Sequence, residues 1–190
     1  VSTSDSGVIT VTGGKLTTYR EMSEDTIDAV IHQLHLSPKK YRCQTKSLAL
    51  HGARGYRETK SRTAQQLHLA QRFGTYADDI EALIAAQPDL AQPLIDGLPY
   101  LRAEAMYAVT HEMAFTLDDV LSRRTRALLF NRTASKNAAR GVAELIAPQM
   151  NWSESDINEQ VAHFHGICAE EEAAGLVTES EFVASTKEQP

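Results

Sequence analysis

Hydrophobic residues follow two different spacings along this chain. Residues 8–12 are all β-branched, which favours a short strand. From residue 16 to residue 34, apolar and small side chains recur about one helical turn apart, which predicts a helix with one buried face. The members of that face are Met22, Thr26, Ala29, Val30 and Leu34. Residues 37–40 include a proline and end the predicted helix.

Beyond residue 55 the helical spacing dominates. Helices are predicted over residues 59–73, 76–86, 100–113, 117–124, 133–149 and 153–174. The apolar or small side chains predicted to face the core from the first of these are Ala64, Leu67, Ala70 and Phe73. Gly74 is placed to end that helix, and Pro99 is placed at a helix start. Ser153 precedes two acidic residues, which is typical of a helix N-terminus.

The chain is therefore predicted to be mainly α-helical, with an all-α domain of about five or six helices after a short strand–turn–helix segment. We place the strand–turn–helix segment at residues 1–56 and the helical domain at residues 57–175. Residues 176–190 are polar and are predicted to form a flexible tail. Residues 43–50, within the first segment, predict a short strand or an extended stretch.

Composition excludes several classes of protein. The 190 residues are 42% hydrophobic and 23% charged, which suits a globular core and argues against disorder. The formal net charge of −6 argues against nucleic acid as a partner, because phosphate binding favours a basic surface. No apolar run reaches the roughly 18 residues of a membrane-spanning helix. Cys43 and Cys168 lack the spacing of metal ligands and are interpreted as reduced cysteines of a cytoplasmic protein.

The turn at Gly13, Gly14 and Lys15 carries the clearest chemical signal. Two glycines between a strand and a helix allow a sharp bend and a close approach of a ligand to the backbone. Free N–H groups at a helix start, together with a lysine, attract an anion or an electron-rich ring edge. An ordinary strand–helix connection explains the same residues, and both interpretations stay open. The phosphate-loop pattern and the dinucleotide motif G-x-G-x-x-G are both absent from the sequence.

Three other groups of polar residues are candidate sites. His111 lacks a second histidine at i+4, where Phe115 stands, so a packed histidine is favoured over a zinc ligand. His163 and His165 lie two positions apart and point to different helix faces, so no metal ligand is assigned. A charged block consists of Asp118, Asp119, Arg123, Arg124 and Arg126. Ion pairs along a helix are the favoured interpretation of this block, and phosphate binding by its arginines is the alternative.

Two long motifs resemble the FAD-dependent glycerol-3-phosphate dehydrogenases. Residues 7–20 read GVITVTGGKLTTYR, similar to a signature near the C-terminal part of that family. Residues 99–126 read PYLRAEAMYAVTHEMAFTLDDVLSRRTR, similar to the signature of its helical C-terminal domain. The intervening RFGT of residues 72–75 also has a counterpart. The resemblance spans about residues 7 to 172, and the order and separation of the motifs fit as well.

This resemblance implies that the chain is the C-terminal part of a longer flavoprotein, with residues 1–56 belonging to the FAD-binding domain. Gly13 and Gly14 would approach the isoalloxazine ring. Lys15 would lie beside flavin and substrate as the catalytic residue and stabilise negative charge on the reduced flavin. Thr17 and Thr18 would lie near the ring. The family's FAD-binding motif precedes this turn, so the chain alone is expected neither to hold FAD nor to be active.

For the longer protein, the resemblance implies oxidation of sn-glycerol 3-phosphate to dihydroxyacetone phosphate, with FAD as hydride acceptor and membrane quinone as electron acceptor. It implies a cytoplasmic location, with peripheral association at the inner face of the cell membrane and homo-oligomer formation left open. Two alternatives remain. One is an oxidase that passes electrons to oxygen, and the other is a stand-alone helical interaction module. Residues 128–130 are a candidate anchoring patch, although a buried helix end is the favoured interpretation.

Overall fold

The computed structural model describes residues 1–57 and 63–176. The chain divides into two compact units, Val1–Glu58 and Thr59–Pro190. Within the described ranges it contains seven α-helices and one two-stranded sheet, which confirms the mainly α-helical fold class.

The first unit begins with a small antiparallel sheet and contains one helix. Strand β1 (Ser2–Thr3) pairs with β2 (Ile9–Thr10), with Ser2 opposite Thr10. A 3₁₀ turn at Leu16–Thr18 leads into α1 (Tyr19–Gln33). The strand predicted over residues 8–12 is thus only two residues long, because its partner offers only two residues for pairing.

The strand or extended stretch predicted over residues 43–50 is wrong. The backbone there forms a turn, in which the carbonyl of Gln44 accepts hydrogen bonds from the N–H groups of Ser47 and Leu48. A carbonyl engaged with its own chain three and four residues ahead closes a local turn and cannot pair with a neighbouring strand.

Most apolar side chains of the first unit are exposed. Ile31 is the one buried large hydrophobic residue among the described residues of this unit. The prediction for Leu34 is wrong, since Leu34 is 61% exposed. Helix α1 ends at Gln33, and the backbone then turns through His35 at φ 52°, which carries Leu34 off the helical face. The other exposed apolar residues include Val8, Val11, Leu16, Tyr19, Ile27, Leu48 and Leu50.

The second unit is built from six α-helices and one π-helical segment within its described residues. The α-helices are α2 (Ala64–Phe73), α3 (Ala77–Ala86), α4 (Arg102–His111), α5 (Ala127–Phe130), α6 (Arg132–Met150) and α7 (Glu154–Ala174). The π-helical segment, Asp119–Arg124, lies between α4 and α5. The core lies mainly between α4, α6 and α7 and includes Leu117, Leu121, Val142, Ile146 and Phe164, all 2% exposed or less.

Two helix ends lie where the capping residues in the sequence predicted them. Ser153 caps α7 by accepting from the N–H of Asp156, whose carboxylate accepts in return from the N–H of Ser153. This is the capping box that the sequence predicted. Gly74 follows α2 at φ 61°, a left-handed conformation that glycine adopts without strain.

At the start of α4 the prediction is wrong. The helix begins at Arg102, and Pro99 lies outside it. Leu101 is held in an antiparallel bridge with Pro93, in which the N–H of Arg102 donates to the carbonyl of Gln92. This pairing keeps the preceding residues extended, so the helix starts later than the sequence pattern indicates.

Two burial predictions in this unit also need correction. In α2, Leu69, Ala70 and Phe73 are buried, but Ala64 and Leu67 are exposed, because the buried face is rotated towards Leu69. In α5, Leu128 is buried whereas Leu129 and Phe130 are 79% and 67% exposed, so a wholly buried helix end at residues 128–130 is wrong. A helix of one turn can place only one of its faces against the core.

Candidate functional site

The double-glycine turn has a backbone conformation that residues other than glycine rarely adopt. Gly13 has φ 76° and Gly14 has φ 89°, both in the left-handed region. A Cβ added at Gly13 would meet nothing within 4 Å, whereas one at Gly14 would overlap Met22 Sδ and lie 2.9 Å from Met22 Cε. The positive φ therefore favours glycine at both positions, and at Gly14 a Cβ would in addition force the flexible Met22 side chain to move.

The turn ends at the start of the 3₁₀ turn that leads into α1. Lys15 is extended, at φ −85° and ψ 155°, and precedes the 3₁₀ turn. The carbonyl of Lys15 accepts from both the N–H and the hydroxyl of Thr18, each at 2.9 Å. The amides of Leu16 and Thr17 precede this first helical hydrogen bond, as the unsatisfied donors of a helix N-terminus do. Such donors suit an anion or the electron-rich edge of a ring.

Adjacency in sequence brings the predicted site residues together, but their side chains are used differently. Lys15 is exposed and forms no ion pair with any residue in the described part of the chain. Thr17 is also exposed, while Thr18 is half-buried and donates its hydroxyl to the backbone. Met22 contacts this turn as well, and sequence reasoning assigned it only to the helical face. Its spacing of four from Thr18 is the one signal that indicated the contact.

The charged block forms ion pairs, as its spacing indicated. The guanidinium of Arg123 contacts the carboxylates of Asp118 and Asp119. Arg124 is used differently, because its Nε donates to the carbonyl of Glu112 at 2.8 Å. A guanidinium at this position satisfies a carbonyl left free at the C-terminus of α4. These contacts account for the structural role of two of the three arginines.

A buried carboxylate that sequence reasoning missed lies in the same unit. The Glu104 side chain is 1% exposed, and its Oε1 accepts from the N–H of Leu101 at 2.9 Å and lies 2.8 Å from His68 Nε2. Arg72 Nε lies 2.8 Å from Oε2 as an ion pair, but off the line of a hydrogen bond. Arg72 also donates to the carbonyl of Arg124 and lies over the Tyr100 ring at 4.9 Å. Glu104 thus joins α2, α4 and the π-helical segment.

Asp119 is a carboxylate whose titration differs from that of a free side chain. Burial raises the pKa of its carboxyl, but hydrogen bonds from Phe115 and Thr116 outweigh burial and hold the pKa below its ordinary value of 3.8. The charge of Arg123 acts in the same direction.

From this depressed pKa we expect acid-sensitive stability in the helical unit. A depressed folded-state pKa stabilises the folded state above the unfolded pKa, and the contribution is lost as the pH falls through the folded pKa. In urea unfolding between about pH 6 and pH 3, the difference in stability between the wild type and Asp119→Asn should therefore shrink at the acid end. A difference that stays constant across that range would contradict a charge-based role for Asp119.

Two of the three histidines considered as metal ligands, His111 and His165, are engaged in ring stacking or a hydrogen bond. The His111 ring stacks on the buried Tyr107 ring at 4.4 Å, as the preference for a packed histidine indicated. His165 Nε2 lies 3.1 Å from the carbonyl of Lys136. Within the described residues, no three His, Cys, Asp or Glu side chains are grouped so that they could hold a metal ion.

A family model described as the C-terminal domain of alpha-glycerophosphate oxidase matches residues 43–157, which is more than half of the chain. The glycerol-3-phosphate dehydrogenase of Mycobacterium leprae is 36% identical over 172 residues, covering 84% of this chain and 29% of that protein. The mitochondrial glycerol-3-phosphate dehydrogenase of Mus musculus is 36% identical over 171 residues, covering 81% and 23%. The SDP6 mitochondrial enzyme of Arabidopsis thaliana, also named a glycerol-3-phosphate dehydrogenase, is 33% identical over 172 residues.

No solved structure matches the chain. The chain spans less than a third of the length of the curated relatives it matches. The family match covers the helical unit from α2 to the start of α7 and begins after the double-glycine turn.

Proposed function

The chain belongs to the family of C-terminal domains of alpha-glycerophosphate oxidase, and from that premise we propose that it is the C-terminal part of a longer flavoenzyme. That enzyme oxidises sn-glycerol 3-phosphate to dihydroxyacetone phosphate. Glycerol 3-phosphate is assigned as substrate because the relatives carry the name glycerol-3-phosphate dehydrogenase. The family domain spans residues 43–157, which include most of the helical second unit, and the first unit contributes the double-glycine turn to the catalytic site.

The observation that carries this proposal is the arrangement of the turn. Gly13 and Gly14 offer backbone without side chains, and the amides of Leu16 and Thr17 precede the first helical hydrogen bond. Lys15 adds an exposed ammonium with no described ion-pair partner. These groups fit the electron-rich edge of an isoalloxazine ring. No pyrophosphate-binding motif occurs in the sequence, so the rest of FAD must be held by other polypeptide.

Each residue of the turn has a role that follows from its chemistry. FAD, when bound, supplies the acceptor for the hydride that leaves C2 of the substrate. The Lys15 ammonium stabilises negative charge that develops beside it during the reaction, and this effect is strongest where water is excluded. The glycines permit close approach, while Thr17 and Thr18 place hydroxyl groups at the helix start.

The exposed apolar residues of the first unit support its placement against other polypeptide. Its helix α1 and the following turns form a groove of about 600 Å³ lined by Tyr19, Ile27, Leu48 and Leu50, among others. Apolar surface of this kind is stabilised when another surface covers it. We assign the cover to the catalytic body of the longer enzyme, so residues 1–56 belong to the flavin-binding domain and residues 57–175 to the helical domain.

The electron acceptor has two candidates. Quinone at the inner face of the cell membrane is the acceptor of the proposed dehydrogenase, which then lies in the cytoplasm and associates peripherally. Oxygen is the second candidate, because the matching family is described for an oxidase. None of the described helices is both long and apolar enough to cross a membrane. Hydrogen peroxide formed in step with substrate oxidation would favour oxygen, and turnover that requires an added quinone would favour the dehydrogenase.

We expect the 190-residue chain alone to bind FAD negligibly and to show no turnover, because it lacks the groups that hold a pyrophosphate. Titration with monitored flavin fluorescence, combined with dye reduction by glycerol 3-phosphate, measures both quantities. The full-length enzyme serves as the positive control and should contain FAD and reduce the dye. Micromolar FAD binding with turnover by the chain alone would contradict the proposal that other polypeptide holds the rest of FAD. A full-length protein without flavin would instead favour a helical interaction module.

A further inference from the structure

We infer that Met22 is a positioning residue for the double-glycine turn, an inference that rests on the proposed function. Met22 lies on the second turn of helix α1, eight residues after Gly14. Its sulfur occupies the space where a Cβ on Gly14 would stand, and its methyl carbon lies 2.9 Å from that point. The thioether therefore covers the Cβ side of the Gly14 backbone, while Gly14 as a whole is exposed.

Thr18 links Met22 to the peptide that follows Lys15. The Thr18 hydroxyl lies 2.9 Å from the carbonyl of Lys15 and 3.6 Å from Met22 Sδ. Because the hydroxyl carries one hydrogen, the shorter contact to the carbonyl is the main bond, and the sulfur lies at the distance of a weak one. Met22 thus supports both the Gly14 backbone and the hydroxyl that orients the Lys15 carbonyl.

The orientation of this carbonyl sets the orientation of the next amide. In a trans peptide the C=O and the N–H point in opposite directions, and the chain contains no cis peptide among its described bonds. The Lys15 carbonyl points into the first helical turn, where the N–H of Thr18 also donates to it. The N–H of Leu16 therefore points away from the first helical turn.

The surroundings of Met22 separate this role from a general packing role. Met22 is half-buried and borders an open groove of about 370 Å³ that Val11, Tyr19 and Ile27 also line. A side chain at the edge of a groove contributes less to the core than a fully buried one. Truncation of Met22 should accordingly change the geometry of the turn more than it changes the stability of the protein.

A double-mutant cycle in the full-length enzyme tests the contact directly. Gly14→Ala introduces a Cβ that overlaps the Met22 sulfur, and Met22→Ala removes that sulfur. The effect of Gly14→Ala should therefore be smaller in the Met22→Ala background than in the wild type. Gly13→Ala is the matched control, because it has a similar positive φ and its Cβ meets nothing within 4 Å. Its effect should add to that of Met22→Ala without coupling.

Two readouts are compared for every variant. The first is turnover per bound flavin, which Met22→Ala should lower by about tenfold through misplacement of the reacting groups. Met22→Leu fills most of the same space and should restore most of the turnover. The second is the midpoint of thermal unfolding, which reports the Gly14–Met22 coupling without flavin or substrate. Met106→Ala, a partly buried methionine packed on the helical core, should lower the midpoint and leave turnover per flavin unchanged.

The outcomes distinguish this inference from the proposed function. Coupling at Gly14 but not at Gly13, together with reduced turnover in Met22→Ala, supports the positioning role. Additive effects at both glycines, or wild-type turnover per flavin in Met22→Ala, overturn it. If the full-length protein holds no flavin, the proposed function fails, and coupling in the unfolding midpoint still decides whether Met22 supports Gly14.

Discussion

In the full-length enzyme, Lys15→Ala is expected to reduce turnover by about 10²- to 10³-fold, the usual effect of removing one positioned group that stabilises developing charge. The thermal midpoint is expected to stay close to that of the wild type, because Lys15 is exposed and forms no described ion pair. Surface substitutions of this kind usually change stability by no more than about 0.5 kcal/mol. Steady-state kinetics per bound flavin and differential scanning calorimetry measure the two effects.

Two variants sharpen this experiment. Lys39→Ala removes another exposed lysine of the first unit and should leave turnover unchanged, which controls for the loss of one positive charge. Lys15→Arg keeps the charge but replaces a compact ammonium by a planar fork, so it should recover only part of the activity. Unchanged kinetics in Lys15→Ala, with wild-type melting, would remove Lys15 from the catalytic site.

The sequence predicted the family and the helical fold because both depend on local patterns. The predicted helices over residues 133–149 and 153–174 lie within one residue at each end of α6 and α7, Arg132–Met150 and Glu154–Ala174. The helical spacing of these segments and the capping box at Ser153 are readable from neighbouring residues. The two motifs that resembled glycerol-3-phosphate dehydrogenases were likewise correct for the family, as the comparisons with relatives confirm.

Features that depend on distant contacts were not predicted. Helix α4 starts at Arg102, later than predicted, because Leu101 pairs with Pro93. No local sequence pattern predicts that pairing. The π-helical winding of Asp119–Arg124 was not foreseen either, although a helix was predicted over residues 117–124. Leu34 was predicted to lie on the buried face of α1, whereas it is exposed.

At the candidate site too, local features were predicted from the sequence and contacts between separate segments were not. The double-glycine bend and the helix start after it were read from the sequence, since glycine pairs and a following helical pattern are local signals. The contact of Met22 with Gly14 depends on how the turn folds back over α1, which spacing alone does not determine. The flavin-side roles of Gly13, Gly14, Lys15, Thr17 and Thr18 stay predictions, and the experiments on the full-length enzyme test them.

Glu104 is expected to be the most costly carboxylate to remove from the helical unit. Glu104→Ala deletes a buried anion and leaves the charge of Arg72 and the backbone N–H of Leu101 without their partner. Removing one member of a buried ion pair typically costs 3–5 kcal/mol. Arg72 and His68 are 25% and 18% exposed, and water can therefore solvate part of what is lost. We expect a loss of about 3 kcal/mol in the free energy of unfolding of the 190-residue chain, measured in urea.

The expected loss of stability on removing Glu104 follows from its position as well as from its charge. Its carboxylate contacts His68 and Arg72 of α2. Arg72 in turn donates a hydrogen bond to the carbonyl of Arg124 at the end of the π-helical segment. Loss of Glu104 therefore loosens three elements together. Glu104→Gln keeps the shape and an oxygen that can accept from Leu101 N–H, so it should cost less than Glu104→Ala, which leaves that donor unpaired.

A matched control separates burial from the mere presence of an ion pair. Glu144 pairs with Arg140 at 2.7 Å, but its side chain is 53% exposed. An exposed pair of this kind usually contributes between 0 and about 1 kcal/mol, so Glu144→Ala should have a small effect.

If Glu104→Ala and Glu144→Ala destabilise the chain equally, Glu104 does not organise the helical unit. If Glu104→Ala does not fold, the Glu104→Gln variant still measures the difference from Glu144→Gln. A larger loss at Glu104 in that comparison isolates the contribution of the buried charge, because both substitutions preserve side-chain shape.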